Sequence, residues 1–572
     1  MAVVPPLSYP GVYVQEVPSG VHTITGVSTS IAAFVGMMRR GRLGVPTRVL
    51  SFADYERKFG TDTATSEMTD QVRQFFLNGG REAWITRIAS GAACASVTLK
   101  NEANDEVLTV TAREAGPDGN LVRVEVDYDT SRPEHTFNLR AFQIGATTSV
   151  APRIEADENF PDLSMNRSDR RYIETVINEQ SALIEVKVVA ELKPSTGFSL
   201  AGLLLDSDVS KAVATLRAVL DPNKNTNTIQ ISVDGDPFVP VSLPPPSKPP
   251  DRIPSDWKPL QALEEAINQN LTTFSKRVRV DLVPEPQKPT YLRIRSVKFD
   301  GTDTPGGSVE IQPAPENDAA AALQLGVAQG GVEVSGYATL RPAPTGFFAK
   351  MGSAQNPLAA LTAFTSASSL GAWTLSYDSG ASSHSASPIF AAPNNPMYKG
   401  TVYTGAVGVG SLQNVRENLQ RLVESINNGA KSQTGESTWQ ASLQGYRLVL
   451  HPLSGGVNAD TTATLNNDGT YKLGDKGQFF DATANVAAYS LGSTGLGNFQ
   501  QPGLNGTPGD IPDSAEYRSA FDKIARDVDL FNLLILPRAK DQTDNERRAL
   551  WGMASTFCQK HRAFLFIDPP KA

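Results

Sequence analysis

Two cysteines and five histidines in 572 residues leave this chain nearly without the side chains that most often hold metals, close disulfides or act as general bases. Cys94 and Cys558 lie almost a whole chain apart with no metal-type spacing around either, so their expected role is to fill a core. No HExxH, GxSxG, CxxC, DxDxDG or Walker pattern occurs, and the Gly-rich stretch 319–342 lacks GxGxxG order. Catalysis, a cofactor and a metal are therefore not expected. The best enzyme arrangement available would put Asp568 and Arg538 at the carboxyl ends of adjacent parallel strands. Cys558 and His561 make a poor nucleophile and base, since they should fall on a buried helix face and at a helix end.

Long apolar runs are also lacking. Residues 31–38 (IAAFVGMM) are the longest near the N-terminus, far short of the ~20 needed to span a bilayer, so direct membrane insertion is not expected. No basic segment followed by an apolar one opens the chain, which reads as the absence of a secretory signal and first use in the cytoplasm. With 52 basic and 60 acidic residues the net charge is -8, which argues against a broad phosphate-binding surface and against nucleic acid as partner. Hydrophobic residues at 40% and charged ones at 20% describe a globular chain, and its length implies two to four domains.

What is present starts with Gly11, Val12, Tyr13, Val14, Gln15, Glu16 and Val17, bracketed by Pro10 and Pro18. The run has β-formers on both faces and reads as a strand on an extended arm, because Pro5, Pro6 and Pro10 fix φ and remove amide donors. It is either an ordinary first strand or a strand added to a neighbour's sheet edge, with Pro18, Ser19 and Gly20 as its hinge. Ser51 caps a short helix with Asp54 in the reciprocal position, Phe52, Tyr55 and Phe59 as its apolar face and Gly60 as its stop. Residues 66–77 make a second helix, on which the Phe75-Phe76 pair reads as core, and residues 83–88 a strand. Short strands follow from 96 to 143. Ser168 is the expected cap of a helix buried through Tyr172, Ile173, Val176 and Ile177 and ending at Asn178, with Arg167, Asp169, Arg170 and Arg171 as solvated charges in its first turn.

Residues 237–259, dense in proline, read as a linker or polyproline-like loop. Two stretches look like degenerate copies of one strand–helix–strand unit, about 228–300 and 372–456, each with a helix ending in Ile-Asn. From 511 the character is α/β again. Asp513 or Ser514 caps a helix carrying Tyr517, Phe521, Ile524 and Val528; residues 531–536 form a strand covered on both faces; Thr543 and Glu546 form a capping box; and 563–567 form a parallel strand.

Several of these segments occur in an order that resembles the contractile tail sheath proteins of phages and phage-like injection systems. They are 9–20 (YPGVYVQEVPSG), 19–42, 45–60 (VPTRVLSFADYERKFG) and 76–87 (FLNGGREAWITR), then 160–185, 531–538 (FNLLILPR) and the Asp568-Pro569-Pro570 end. The resemblance implies a mixed α/β and α+β multidomain fold with a discontinuous core. On it, 1–20 is the linker arm, 21–190 the first part of the core, 191–510 strand-rich inserted outer domains, and 511–572 the second part of the core. It implies a homo-oligomer of hexameric rings stacked helically around an inner tube protein, with baseplate and terminal cap proteins as further partners and arms exchanging strands between subunits. The place would be an assembled particle in the cytoplasm of the producing bacterium. Family members continue past the Asp-Pro-Pro motif with a further α/β segment, so the sequence reads as a piece of a longer subunit. The alternative is a strand-rich surface-binding or adhesin-type protein, from the Gly/Ser/Thr-rich composition of 365–387.

Overall fold

The structure, a computed structural model, describes residues 31–145, 153–190, 193–206, 208–220, 226–242, 258–271, 276–285, 288–298, 304–305, 307–351, 485–493 and 497–567, with shorter pieces between 373 and 483. Contacts divide the described residues into two units, one of 31–38, 44–88 and 511–567, the other of 39–43 and 89–510. Residues 89–190, grouped with 21–88 in the sequence reading, fall in the second unit.

The first unit is organised on the strand Ile31–Gly36, whose sequence IAAFVG is buried at every position. A strand without polar alternation needs cover on both faces, and it has it. The sheet runs Thr47–Val49, Glu82–Arg87, Ile31–Gly36, Leu533–Ile535, Phe564–Phe566, parallel throughout except for the first pair. On one face Tyr55 and Phe59 of the helix Phe52–Phe59 and Met68 and Val72 of the helix Met68–Leu77 pack on Phe34 and Ile85, with Phe75 and Phe76 beside them. On the other, Tyr517, Phe521 and Ile524 of Ser514–Asp527 and Leu550, Ala554 and Cys558 of Asp544–His561 pack on Val35 and Leu534. Both later helices start in capping boxes, Asp513 with Glu516 and Thr543 with Glu546. At the first helix Ser51 Oγ accepts the Asp54 amide, but the Asp54 carboxylate takes the Leu50 amide, so the expected reciprocal bond is displaced by one residue.

The second unit begins with a sandwich. One sheet is Gln500–Pro502, Cys94–Lys100, Glu106–Ala115, Ile184–Val188; the other is Tyr489–Ser490, Val122–Asp127, Phe137–Ile144, Ile154–Leu163. Alternating burial along Cys94–Lys100 and Val122–Asp127 sends Val97, Leu99, Val124 and Val126 into a shared core. The helix Ile173–Gln180 starts at Tyr172 with no side-chain cap, not at Ser168. Ser168 and Asp169 lie in turns, where the Ser168 amide bonds Asn166 Oδ1 and Asp169 Oδ1 accepts the Arg171 amide; these local bonds hold the chain out of helix until the Ser164–Tyr172 bridge.

Two further modules share one strand order. In the first, Lys276–Glu285, Lys288–Lys298, Phe198–Leu205 and Val332–Val334 form one sheet, and Val239–Ser242, Thr228–Val233 and Val309–Gln312 another. In the second, Trp439–Gln444, Arg447–Pro452, Phe347–Met351 and Phe480–Thr483 form one, and His384–Ala386, Trp373–Tyr377 and Ala463–Asn467 the other. The helix Pro259–Asn270 stands in the first where residues 420, 423, 424 and 427 are helical in the second. The copies therefore extend well beyond the strand–helix–strand segments visible in sequence.

The Ile-Asn signal has a physical reason. Asn268 Nδ2 donates to the Val278 carbonyl at 3.1 Å while its Oδ1 accepts the Val278 amide at 2.9 Å, so the side chain imitates a neighbouring strand. Asn427 clamps Ala441 in the same way at 2.9 and 2.7 Å, and Asn178 clamps Val186 at 2.9 and 2.8 Å. Replacing Asn178 with Ala is expected to destabilise the fold by about 2 kcal/mol, because a backbone donor and acceptor beside a core strand both lose their partner. Urea unfolding measures it, and a loss below about 0.5 kcal/mol would mean that water substitutes for the amide.

Candidate functional site

The residues expected to act between subunits, Gly11 to Val17 and the hinge Pro18, Ser19 and Gly20, lie outside the described residues. Among those described, the most elaborate side-chain constellation is a buried junction in the second unit, built around residues 335–346 (SGYATLRPAPTG), which join the two copies.

This segment is packed as a strap, and its sequence says what packing it requires. Pro342 and Pro344 remove two amide donors, so the stretch presents carbonyls that need external donors once buried. Tyr128 Oη donates to the Pro342 carbonyl at 2.7 Å, Tyr489 Oη to Ala343 at 2.7 Å and Asn485 Nδ2 to Pro344 at 2.7 Å. The Ala343 amide donates to Lys100 O at 2.9 Å and the Thr345 amide to Val126 O at 2.8 Å. Burial pushes both phenols well above the ordinary tyrosine range, so each stays a donor.

Arg341 lies at the centre, 1% exposed. Its Nε donates to Ala338 O at 3.0 Å and its Nη1 to Pro133 O and Thr136 O at 2.6 and 2.7 Å, while Nη2 is 3.9 Å from Glu134 Oε2. Its guanidinium carbon sits 3.8 Å from the Tyr128 ring centroid, and that of Arg447 5.1 Å from the same ring. Arg447 Nε reaches Glu102 Oε1 at 2.6 Å, and its Nη1 reaches Glu134 Oε1 and Oε2 at 2.7 and 2.9 Å. Burial lowers the Arg341 pKa; burial also opposes the charge on Arg447, but Glu102 and Glu134 outweigh it and raise that pKa well above the ordinary value. Gln444 Oε1 accepts the Tyr128 amide at 2.8 Å. Gly445, at φ +66°, fits because a Cβ there would lie 2.5 Å from Glu134 Oε1.

A cavity of about 260 Å³ lies beside this cluster, lined by Arg132, His135, Glu310, Val332, Glu333 and Leu443 among others. Its charges are engaged with the protein itself: Arg132 Nη1 holds Glu310 Oε1 at 3.2 Å, and Glu333 Oε1 accepts the Ile311 amide at 2.6 Å. Burial depresses the His135 imidazole to about 4, and His451, near Gln444, likewise to about 4. The arrangement can fix three pieces of chain against one another; it holds no activated nucleophile.

The carboxyl ends of the first unit's strands were the other sequence candidate. Arg538 Nε and Nη2 donate to Gln542 O at 3.0 and 2.8 Å, and Nη1 is 3.4 Å from Asp544. The space nearby is about 10 Å³, room for one water. Asp568 lies outside the described residues. Cys558 faces the core with its thiol pushed up to about 11, and the His561 ring lies tilted against Phe557, centroids 4.6 Å apart. Among the described residues no group of three or more His, Cys, Asp or Glu could hold a metal, and no helix is long and apolar enough to cross a membrane.

Sequence reasoning missed Tyr128, Arg341, Arg447, Glu102 and Glu134. The available signal was Arg-Pro-Ala-Pro, an arginine beside a donor-poor stretch, which demands a buried setting rich in donors if it is not a surface loop.

No family model and no curated protein matches the chain. Among solved structures, a sheath tail protein from Desulfitobacterium hafniense is 18% identical over 32% of this chain and 36% of that one, with a TM-score of 0.19. A sheath tail protein from Listeria innocua is 16% identical over 29% of this chain and 31% of that one, with a TM-score of 0.20. The chain thus spans about a third of the length of each. Over that part it is similar to two solved sheath tail proteins, and sheath proteins are the family that its terminal motifs resemble.

Proposed function

We propose that this chain is a structural subunit of a contractile tail sheath, which polymerises as stacked six-membered rings around an inner tube and contracts to drive that tube through a target envelope. The observation that carries this reading is where the family-like segments meet. Strands from 31–36 and 82–87 and strands from 533–535 and 564–566 are neighbours in one sheet, and the Ile31 amide reaches Asn532 Oδ1 at 3.3 Å across 501 positions of chain. Motifs so distant in sequence are thereby parts of one discontinuous core.

In this reading Gly11 to Val17 of one subunit add a strand to a neighbour's sheet. Of the two outer strands, Thr47–Val49 is blunted: Arg48 pairs with Glu82 at 2.8 Å and Lys58 Nζ occupies the Arg48 carbonyl at 2.8 Å. A seven-residue strand contributes several ladder bonds at a net ~1 kcal/mol each, and linkage to several neighbours multiplies them into a net. Pro18, Ser19 and Gly20 act as the hinge that lets subunits reorient while pairing persists. Tube, baseplate and cap proteins are the partners, and the assembled particle is the place of action.

Deleting residues 1–20 is expected to abolish tubes in negative-stain electron microscopy while circular dichroism and a cooperative thermal transition persist. Tubes of normal appearance from the truncated chain would refute the role of the arm.

A further inference from the structure

We propose that the outer face of the hairpin Lys276–Glu285 and Lys288–Lys298 is a docking surface for carboxylates of a second copy of this chain, received by Arg279 and Arg295. The inference goes beyond the sheath reading and uses no residue of the arm.

The asparagine clamps align the two copies residue by residue. Asn268 holds Val278 and Asn427 holds Ala441, so Arg279 and Asp281 stand where the second copy has Ser442 and Gln444. Across the ladder Arg279 faces Arg295 and Asp281 faces Arg293, as Ser442 faces Val449 and Gln444 faces Arg447. The third strand agrees, with Phe198 opposite Arg295 and Phe348 opposite Val449.

In the second copy this face is already docked. Val449 is buried in the core of the sandwich, Gln444 takes the Tyr128 amide, and Arg447 takes Glu102 and Glu134. The same face of the first copy stays open, with the side chains of Arg279 and Arg295 46% and 35% exposed.

What such a face accepts follows from its charges. Arg293 Nε and Nη2 donate to Asp281 Oδ1 and Oδ2 at 2.9 and 3.0 Å, and Arg295 Nε donates to the same Oδ2 at 3.1 Å, so one carboxylate serves two guanidiniums. Arg279 Nη1 donates to Glu264 Oε1 at 2.7 Å, and Arg277, two positions back on the strand, lies on the same face. Like charges directly opposite each other in a ladder repel, and carboxylates laid over the Arg279–Arg295 pair relieve that repulsion. An apolar partner would bury guanidiniums without acceptors, which is costly. The net charge of -8 makes a second copy a source of carboxylates, whereas nucleic acid would bring dense phosphate charge against that surplus of acid.

Sedimentation velocity of the full chain over a range of concentrations, between about 0.05 and 0.5 M salt, tests the face. Wild type is compared with a variant carrying Arg279→Gln and Arg295→Gln. Arg279→Glu alone is the second variant, because Arg279 is the most exposed of the four arginines and its replacement disturbs folding least. In either variant the concentration at half self-association is expected to rise at least ~10-fold at low salt, and the gap to wild type to narrow as salt screens the contact. Equal association of all three proteins across the salt range would overturn the proposal, as would a wild-type chain that stays monomeric. So would arginine-dependent binding of a short single-stranded DNA without self-association, which would assign the face to a polyanion. Loss of tubes on deleting the arm, together with arginine variants that associate normally, would remove this inference and leave the sheath reading standing.

Discussion

Replacing Arg341 with Met should cost the second unit about 3–5 kcal/mol, because it removes one side of a buried charged cluster and leaves the rest in place. Methionine matches the arginine stem in bulk, so the cavity contribution is small and the loss is polar. The carbonyls of Pro133 and Thr136 lose their side-chain donor, that of Ala338 keeps the Arg341 backbone amide at 3.3 Å, the Tyr128 ring loses its nearer cation, and Glu134 loses the guanidinium 3.9 Å away. Each buried carbonyl without a partner is worth about 1–3 kcal/mol, which brackets the sum. Chemical unfolding, read on the transition of this unit, measures it. A loss below about 1 kcal/mol would show that water enters and solvates the strap, which a junction built for rigidity should not permit.

Acid should weaken the same region between pH 6.5 and 4. His135 and His451 titrate near 4 in the folded chain and near the ordinary 6.5 when unfolded, because burial opposes the charged ring. The unfolded state therefore binds protons first as pH falls. Their contribution is complete above pH 6.5, declines through the interval and stops changing below about 4. Each histidine is worth about 3 kcal/mol over that range. The charged groups facing His135 do not reverse the direction: burial and Arg132 oppose protonation most, Asp169 favours it, Arg341 opposes it, and Glu310, 3.9 Å from Nδ1, is already paired with Arg132. For His451, Asp129 favours protonation but is outweighed by burial. The difference in unfolding free energy between the wild-type chain and a variant carrying His135→Gln and His451→Gln should shift by several kcal/mol from pH 7 to pH 4. Parallel pH profiles for the two proteins would refute the assignment, and taking the difference removes the carboxylates that titrate in both.

Local chemistry was readable wherever the deciding partner lies within a few residues. Thr543 and Glu546 are three apart and form their capping box, as do Asp513 and Glu516. The apolar run around Leu534 implies a strand covered on both faces, and it is so covered; the run around Phe34 is buried in the same way. Where two local signals compete, reading fails: Ser168 has the chemistry of a cap, but Asn166 and Asp169 bend the chain first. The Ile-Asn repeat was visible, though not the reason for it, since the backbone that each helical asparagine clamps lies 8 to 14 residues onward on a strand.

The sequence by itself determined local signals: strand and helix periods, the two capping boxes near the end of the chain, the duplicated units, and the family-like motifs at both ends. Tertiary structure alone decided which elements share a sheet, where the division between units falls, and that Tyr128, Arg341, Arg447, Glu102 and Glu134 converge. The reason is physical. Helix caps and amphipathic faces are satisfied by neighbours along the chain, whereas a buried charge is satisfied only by partners that folding brings from far away, 313 positions for Glu134 and 345 for Glu102 as seen from Arg447.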